Sequence, residues 1–352
     1  MTLKLVEAKR RRWKLYVALL AMVLIFLVIP FSVCIGSSTI PFDESAKVLF
    51  KWLLVNVDVD STYERIILAI RLPRVLMGCI VGAALSLAGA ILQGMFRNPM
   101  ADPYVVGVSS GAALGASLAI VLGVGFTVFG MAAISTMAFV MAMVAIMIVY
   151  NLSHVGGRVP VMTLLLSGIA VSIFFSAVTS LLSVFAGERL HGLYFWLLGS
   201  LSESKWEHVM VAAPVLTSCL LVASLYARDL NIMSLGEEAA VTLGVDVEGA
   251  KLVLIVVSSL ATSIAVSFTG MIAFVGLMVP HIVRLMVGPD HRVLLPCSAL
   301  FGAIFLVLCD DAVRWLAQVA TRAQIPVGVV TALIGGPFFI YLLRRRKREY
   351  SL

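Results

Sequence analysis

The sequence predicts an all-α polytopic membrane protein with about ten transmembrane helices and both termini on the cytoplasmic side. Three observations carry that prediction. First, 61% of the 352 residues are apolar and only 13% are charged, against about 25% charged in a soluble domain. A membrane-spanning helix takes about 20 predominantly apolar residues, so the chain holds material for roughly ten of them. Second, the apolar residues come in long unbroken runs: no Asp, Glu, Lys or Arg occurs between Pro103 and Gly157. Strands of an outer-membrane barrel would alternate apolar with polar instead. Third, the net charge of +7 is concentrated in two basic tails, Lys4 to Lys14 and Arg344 to Arg348. Basic clusters flanking apolar spans mark the cytoplasmic side, so both tails lie inside and the number of spans is even. That distribution also speaks against nucleic acid as a partner. The composition excludes a soluble enzyme, a disordered chain and a disulfide scaffold.

Cutting the chain at its charges places the spans in order. Span 1 is 15–33, behind the basic tail. The string FSVC ending at Cys34 reads as the end of an uncleaved span, because bulky Val33 suits no lipoprotein processing site. The polar segment 34–70 is too long for a turn and becomes an external loop. Span 2 is 75–96, bounded by Arg74 and Arg97. The longest uncharged stretch divides at the turn Gly123–Gly125 into span 3 (105–123) and span 4 (129–150). Span 5 is 159–187, and the short run 190–202 is a partial helix on the outer side. Span 6 is 209–227, followed by a polar inner segment, 228–251. A break at Gly270 separates span 7 (252–268) from span 8 (271–287, bent near Pro280). Spans 9 and 10 are 293–309 and 326–343. The short inner loops then hold Arg97, Arg158, Arg228, Lys251, Arg284 and Arg292, as the positive-inside rule requires. The whole chain, 1–352, reads as one membrane domain. In span 2, Gly78, Gly82, Ser86, Ala90 and Gly94 form a stripe that lets a neighbouring helix approach closely.

The missing chemistry narrows the function. No G-x-x-x-x-G-K-[ST] loop is present, so the chain does not hydrolyse ATP itself. No HExxH or CxxC occurs, and the five cysteines lack metal-ligand spacing, so no metal site and no bound cofactor are expected. The five histidines fall at loops or span ends, and His281 beside Pro280 reads as packing. The interiors of spans 2 to 5 and of span 7 carry no Asp, Glu, Lys or Arg, which argues against a proton- or sodium-coupled carrier. There remain a channel, a receptor-like scaffold, or the membrane half of a machine whose ATPase is a separate chain.

Five strings decide among these: RLPR (71–74), QGMFRNPMADPYVVGVSSGA (93–112), SLGEEAAVTLGV (234–245), FTGMIAFVGLMVPHIVRLMVGPDHRVLLP (268–296) and IPVGVVTALIGGPFFIYLLRRR (325–346). In this order and spacing they closely resemble the FecCD permeases, subunits of ABC importers for iron–siderophore, haem and cobalamin. The resemblance covers about residues 60–346. It implies the type II importer permease fold in the inner membrane, with a translocation pathway shared with a second permease, expected to be identical. It also implies two ABC ATPase subunits inside, where ATP and Mg bind, and an extracytoplasmic substrate-binding protein outside. An ion- or solute-conducting channel or secondary transporter without ATPase coupling is the alternative. An ion channel would need a filter of ordered carbonyls or a ring of charge, and neither is visible, while a receptor or assembly scaffold would not need the inner coupling segment.

The resemblance also implies roles for individual residues. Gly236, Glu237, Glu238, Ala239, Ala240, Leu243, Gly244 and Val245 would form the coupling segment that sits in an ATPase groove. Its acidic start suits a helix N-terminus. Arg71, Arg74 and Arg314 would present positive charge to acidic residues of the binding protein. Asn98, Met100, Val161 and Met162 would narrow the cytoplasmic exit, where bulky apolar side chains seal by size and dewetting.

Overall fold

A computed structural model describes residues 2–36, 40–54, 62–124, 130–321 and 324–350. The side chains of residues 2–12 and 345–350, which carry most of the basic tails, lie outside the described set, as does Gly125. At membrane depth no water completes backbone hydrogen bonds, so apolar runs close theirs within helices. Helices occupy all ten apolar segments. The first is α1 (Thr2–Cys34), and the second, amphipathic α2 (Phe42–Leu54), lies outside them. Next, α3 (Thr62–Arg65) runs through a π turn, Ile66–Arg71, into α4 (Leu72–Met95). Then come α5 (Val108–Val121), α6 (Gly130–Ser153), α7 (Val161–Phe185), the short α8 (Leu190–Leu198) and α9 (Trp206–Leu225). Two short helices, α10 (Ala227–Met233) and α11 (Glu237–Thr242), precede α12 (Val247–Thr269) and α13 (Val275–Val287). The last two are α14 (His291–Leu316) and α15 (Val327–Tyr350).

Among the described residues, eight helical stretches are long and apolar enough to cross a membrane, while α5 and α13 are shorter. Irregular backbone precedes each short one. A 3₁₀ turn, Pro103–Val106, ends at Gly107 with φ +89° before α5. Residues 270–274, with Gly270 at φ +71° and Phe274 at φ +68°, precede α13. The centre of the bundle is α4, buried along nearly all of its apolar length and packed on α12, α13 and α14. Its glycines make this possible: a Cβ at Gly82 would collide with the Gly302 carbonyl of α14, and one at Gly89 with the Gly276 carbonyl of α13.

Two regions depart most from the charge-based reading, besides α12, which begins at Val247 and not at 252. The described part of segment 34–70 is largely helical, not a loop; residues 37–39 and 55–61 lie outside the described set. In α2, Asp43, Glu44, Lys47 and Lys51 share one side, while Val48 and Leu49 join a buried cluster with Val33, Ile67 and Leu72. Cutting at charges cannot see a helix that is polar on one face. Helix α14 also passes Cys309 without stopping, because Asp310 and Asp311 are paired with Arg74 and Arg314 inside the bundle.

Candidate functional site

At the end of the bundle opposite the tails, Arg71 and Arg74 meet the sequence-distant Arg314 in the wall of one cavity of about 690 Å³, together with Ser200, Ser202 and Gln318. Arg71 Nη1 donates to the Val33 and Cys34 carbonyls, both at 2.8 Å. Arg314 Nη1 donates to the Ser32 and Ile35 carbonyls at 2.8 and 2.6 Å. These carbonyls lie in and just past the last turn of α1, where a cation also meets the negative end of the helix dipole. Arg74 forms a two-pronged pair with Asp310, Nε at 2.9 Å and Nη2 at 2.8 Å. Arg314 Nε lies 3.0 Å from the same carboxylate, and its Nη2 pairs with Asp311. Ser32 Oγ donates to Asp311 at 2.5 Å. Arg71 and Arg314 are therefore buried in the cavity wall, and Arg74 is the most accessible of the three. Asp310, Asp311 and Ser32 are partners that sequence reasoning missed; the pair of acids at the end of an apolar run was the available signal.

Midway down, the two irregular segments meet. Tyr104 Oη donates to the Ile272 carbonyl and accepts from the Ile272 amide, both at 2.9 Å. Asp102 Oδ1 accepts from the Tyr104 amide at 2.8 Å and so caps the 3₁₀ turn. Beside this clasp is a mainly apolar cavity of about 410 Å³, lined by Asp102, Tyr104, Ile169, Ser172, Ile173 and Phe274. Helix α7 presents Met162, Leu166, Ile169, Ile173, Leu181 and Val184 as exposed apolar side chains. Irregular backbone at membrane depth is tolerated where it is buried in protein or lines a wet cavity.

At the tail end, Asn98 makes a tight turn, its Oδ1 accepting from the Met100 amide and its carbonyl from the Ala101 amide, both at 3.0 Å. Met100 is half-buried. Pro160 is extended and precedes the first turn of α7. Val161 packs against the core while Met162 is 70% exposed, so the two neighbours face different ways.

Segment 234–245 forms the six-residue α11, with Glu237 and Glu238 in its first turn. Gly236 (φ +133°) opens it and Gly244 (φ +82°) closes it. The Gly244 and Val245 amides donate back to the Val241 and Ala240 carbonyls at 3.0 Å each, a Schellman end that needs glycine at this position. Ala240 is buried and Ala239 half-buried, whereas Leu235, Val241 and Leu243 are exposed. Nearby, Asp290 accepts from Asn231 Nδ2 at 2.9 Å and pairs with Lys14 at 3.4 Å. Burial alone would raise this carboxyl, but those partners and the Arg292 amide hold it below the usual carboxylate range. Lys251 and Glu248 were also missed. Cutting at charges treats Lys251 as the edge of a run, yet it is 2% exposed.

Residues 22–345 match the FecCD transport family. The chain belongs to that family. Over 289 residues, 82% of this chain and 76% of the relative, it is 51% identical to the cobalamin import system permease protein BtuC of Halobacterium salinarum. Over 301 residues, 85% of this chain and 89% of the relative, it is 39% identical to the hemin transport system permease protein HmuU of Yersinia pestis. A solved structure, described as a metal-chelate type ABC transporter in an inward-facing conformation, superposes with a TM-score of 0.80 at 33% identity. That match covers 94% of this chain and 99% of the other. This FecCD chain is thus a multi-pass permease subunit of an ABC importer in the cytoplasmic (inner) membrane. ATP is hydrolysed not by the permease but by a partner chain.

Proposed function

We propose that the substrate is a metal chelate, of the iron–siderophore, haem or cobalamin kind. In this reading it crosses between this chain and an identical second copy, driven by two ATPase subunits that grip segment 234–245. The observation that carries the proposal is the exposed trio Leu235, Val241 and Leu243, on and directly flanking a short helix beyond the ends of the membrane helices. Three large apolar side chains facing water on so small an element fit a partner's groove. Gly236, Glu237, Glu238, Ala239, Ala240, Gly244 and Val245 shape that element. The binding protein docks over the outer cavity, where Arg71, Arg74 and Arg314 outnumber the two carboxylates behind them. Asn98, Met100, Val161 and Met162 narrow the inner exit, with Met162 the member turned away from its own core. The exposed face of α7 and the open side of the 410 Å³ cavity receive the second permease.

The test is reconstitution with the ATPase and binding protein. Val241→Asp with Leu243→Asp is expected to abolish both ATPase co-purification and ATP-driven uptake, while the permease still inserts. Retention of the ATPase by this double variant would remove the coupling assignment.

A further inference from the structure

Lys251 sits in the second turn of α12 and is nearly inaccessible to water. Its Nζ meets three oxygens: Glu237 Oε2 at 2.8 Å, Glu248 Oε1 at 3.0 Å and the Val159 carbonyl at 3.1 Å. An ammonium carries three protons, and each has an acceptor here. Glu248 uses its other oxygen, Oε2, to accept from the Val159 amide at 2.9 Å. Both backbone polar groups of Val159 are thus held by the same two side chains. Val159 lies two residues before α7 begins, and Glu237 is the first residue of α11. One charged knot therefore joins three elements: α11, the start of α12 and the lead-in to α7.

A helix of six residues has little stability of its own, so α11 keeps its place only through such attachments. Its other side approaches the first inner loop, since a Cβ at Gly236 would lie 3.7 Å from Arg97 Nη1. The knot is tighter than a surface ion pair because water reaches Lys251 poorly and charge-assisted bonds gain strength in such surroundings. A displacement of α11 that leaves these bonds intact must carry Val159 with it, and with Val159 the first turn of α7 and Met162. The covalent path between the two elements, through α7, α8, α9 and α10, is far longer and offers no comparable rigidity.

We infer that the Glu237–Lys251–Glu248 knot is the link that passes movement of α11 to the inner end of α7. Lys251 is its positioning residue, acting through Val159. This rests on the proposal that segment 234–245 engages the ATPase, and the test separates the two. Wild type, Lys251→Met, Lys251→Arg and Glu237→Gln are each assembled with ATPase and binding protein in proteoliposomes. ATP hydrolysed per substrate imported is measured for each. A Met162→Cys version of each is also labelled with a charged maleimide, with and without bound nucleotide.

Couplings of this kind typically change an equilibrium by about 5- to 150-fold. Lys251→Met should keep its ATPase and its hydrolysis, raise the ATP used per substrate by about tenfold, and lose the nucleotide dependence of labelling at position 162. Lys251→Arg, which keeps the charge, should restore much of both. Glu237→Gln keeps an acceptor oxygen for Lys251 but removes one negative charge from the knot, and should show the same defects more weakly, so it serves if Lys251→Met fails to reach the membrane. Wild-type stoichiometry and nucleotide-dependent labelling in Lys251→Met, or in Glu237→Gln where that variant serves, would overturn the inference. It would leave the docking proposal standing if Val241→Asp with Leu243→Asp still sheds the ATPase.

Discussion

Asp310→Asn probes the outer charge cluster most directly. The carboxylate is 2% exposed and takes Arg74 at 2.8 and 2.9 Å and Arg314 at 3.0 Å. Asparagine has the same size but no charge, so Arg74 loses its carboxylate partner and Arg314 is left with Asp311 as its remaining carboxylate. Removing one partner of a buried ion pair costs about 3–5 kcal/mol. Arg74 can take up water from the cavity, and Arg314 keeps Asp311 and two carbonyls. The lower end, about 3 kcal/mol, is therefore expected, or roughly two orders of magnitude in the folding constant. Reversible unfolding of the purified permease by SDS in mixed micelles measures it. Lys47→Met serves as the control, because its pairs with Asp43 and Glu44 are solvent-exposed and should leave the transition unmoved. A shift below about 1 kcal/mol for Asp310→Asn would show that water and α1 carbonyls, not Asp310, balance the two arginines.

Three further outcomes are expected. Gly89→Leu should prevent accumulation of folded protein, because its side chain meets the Gly276 backbone, whereas Gly192→Ala, with open space around its Cβ, should express normally; yield by fluorescence-detected gel filtration compares them. Gln318→Glu with Gln324→Glu adds negative charge to the rim of the outer cavity without touching the ion pairs. It should weaken binding-protein docking measured by calorimetry, more at low salt than in physiological salt, where the screening length is about 8 Å. Asp290 has its pKa depressed on folding, so its contribution to stability is present above the unfolded value, near pH 4, and is lost as pH falls through the folded one. Unfolding of wild type and Asp290→Asn should differ at neutral pH and converge as the medium is acidified below pH 4.

The helical bundle was legible because span-forming helices are uniformly apolar and the charges between them punctuate the chain. Reading by charge worked least well where charge lies inside the fold. Asp310 and Asp311 look like the end of a span, yet Asp311 pairs with Arg314 one turn along the same helix, and Asp310 takes Arg74 of α4, whose nearness only the packing reveals. Amphipathic α2 was hidden for the related reason that one polar face makes a helix resemble a loop. At the inner end, the glycines around α11 mark its limits in the sequence, and its acidic first turn is visible there too. The attachment of that turn was not legible, because Val159 contributes through its backbone, which every residue possesses. Arg71 and Arg314 were recognisable as notable arginines; their use in capping α1 depends on where α1 stops, and no local pattern states that.

The glycine contacts of α4 have a mechanical consequence. A helix whose backbone rests directly on its neighbours' carbonyls, at Gly82 on α14 and Gly89 on α13, has no soft layer of side chains to shear. It can neither rotate nor slide without lifting whole helices apart, so α4, α13 and α14 behave as a fixed spine. Helix α7, exposed over much of its length, has no such restraint on its outward face. An importer must open to each side in turn, and in this architecture the bending falls to the periphery. Wear, in the form of tolerated substitutions, should concentrate there too, with the spine the part that admits the least change.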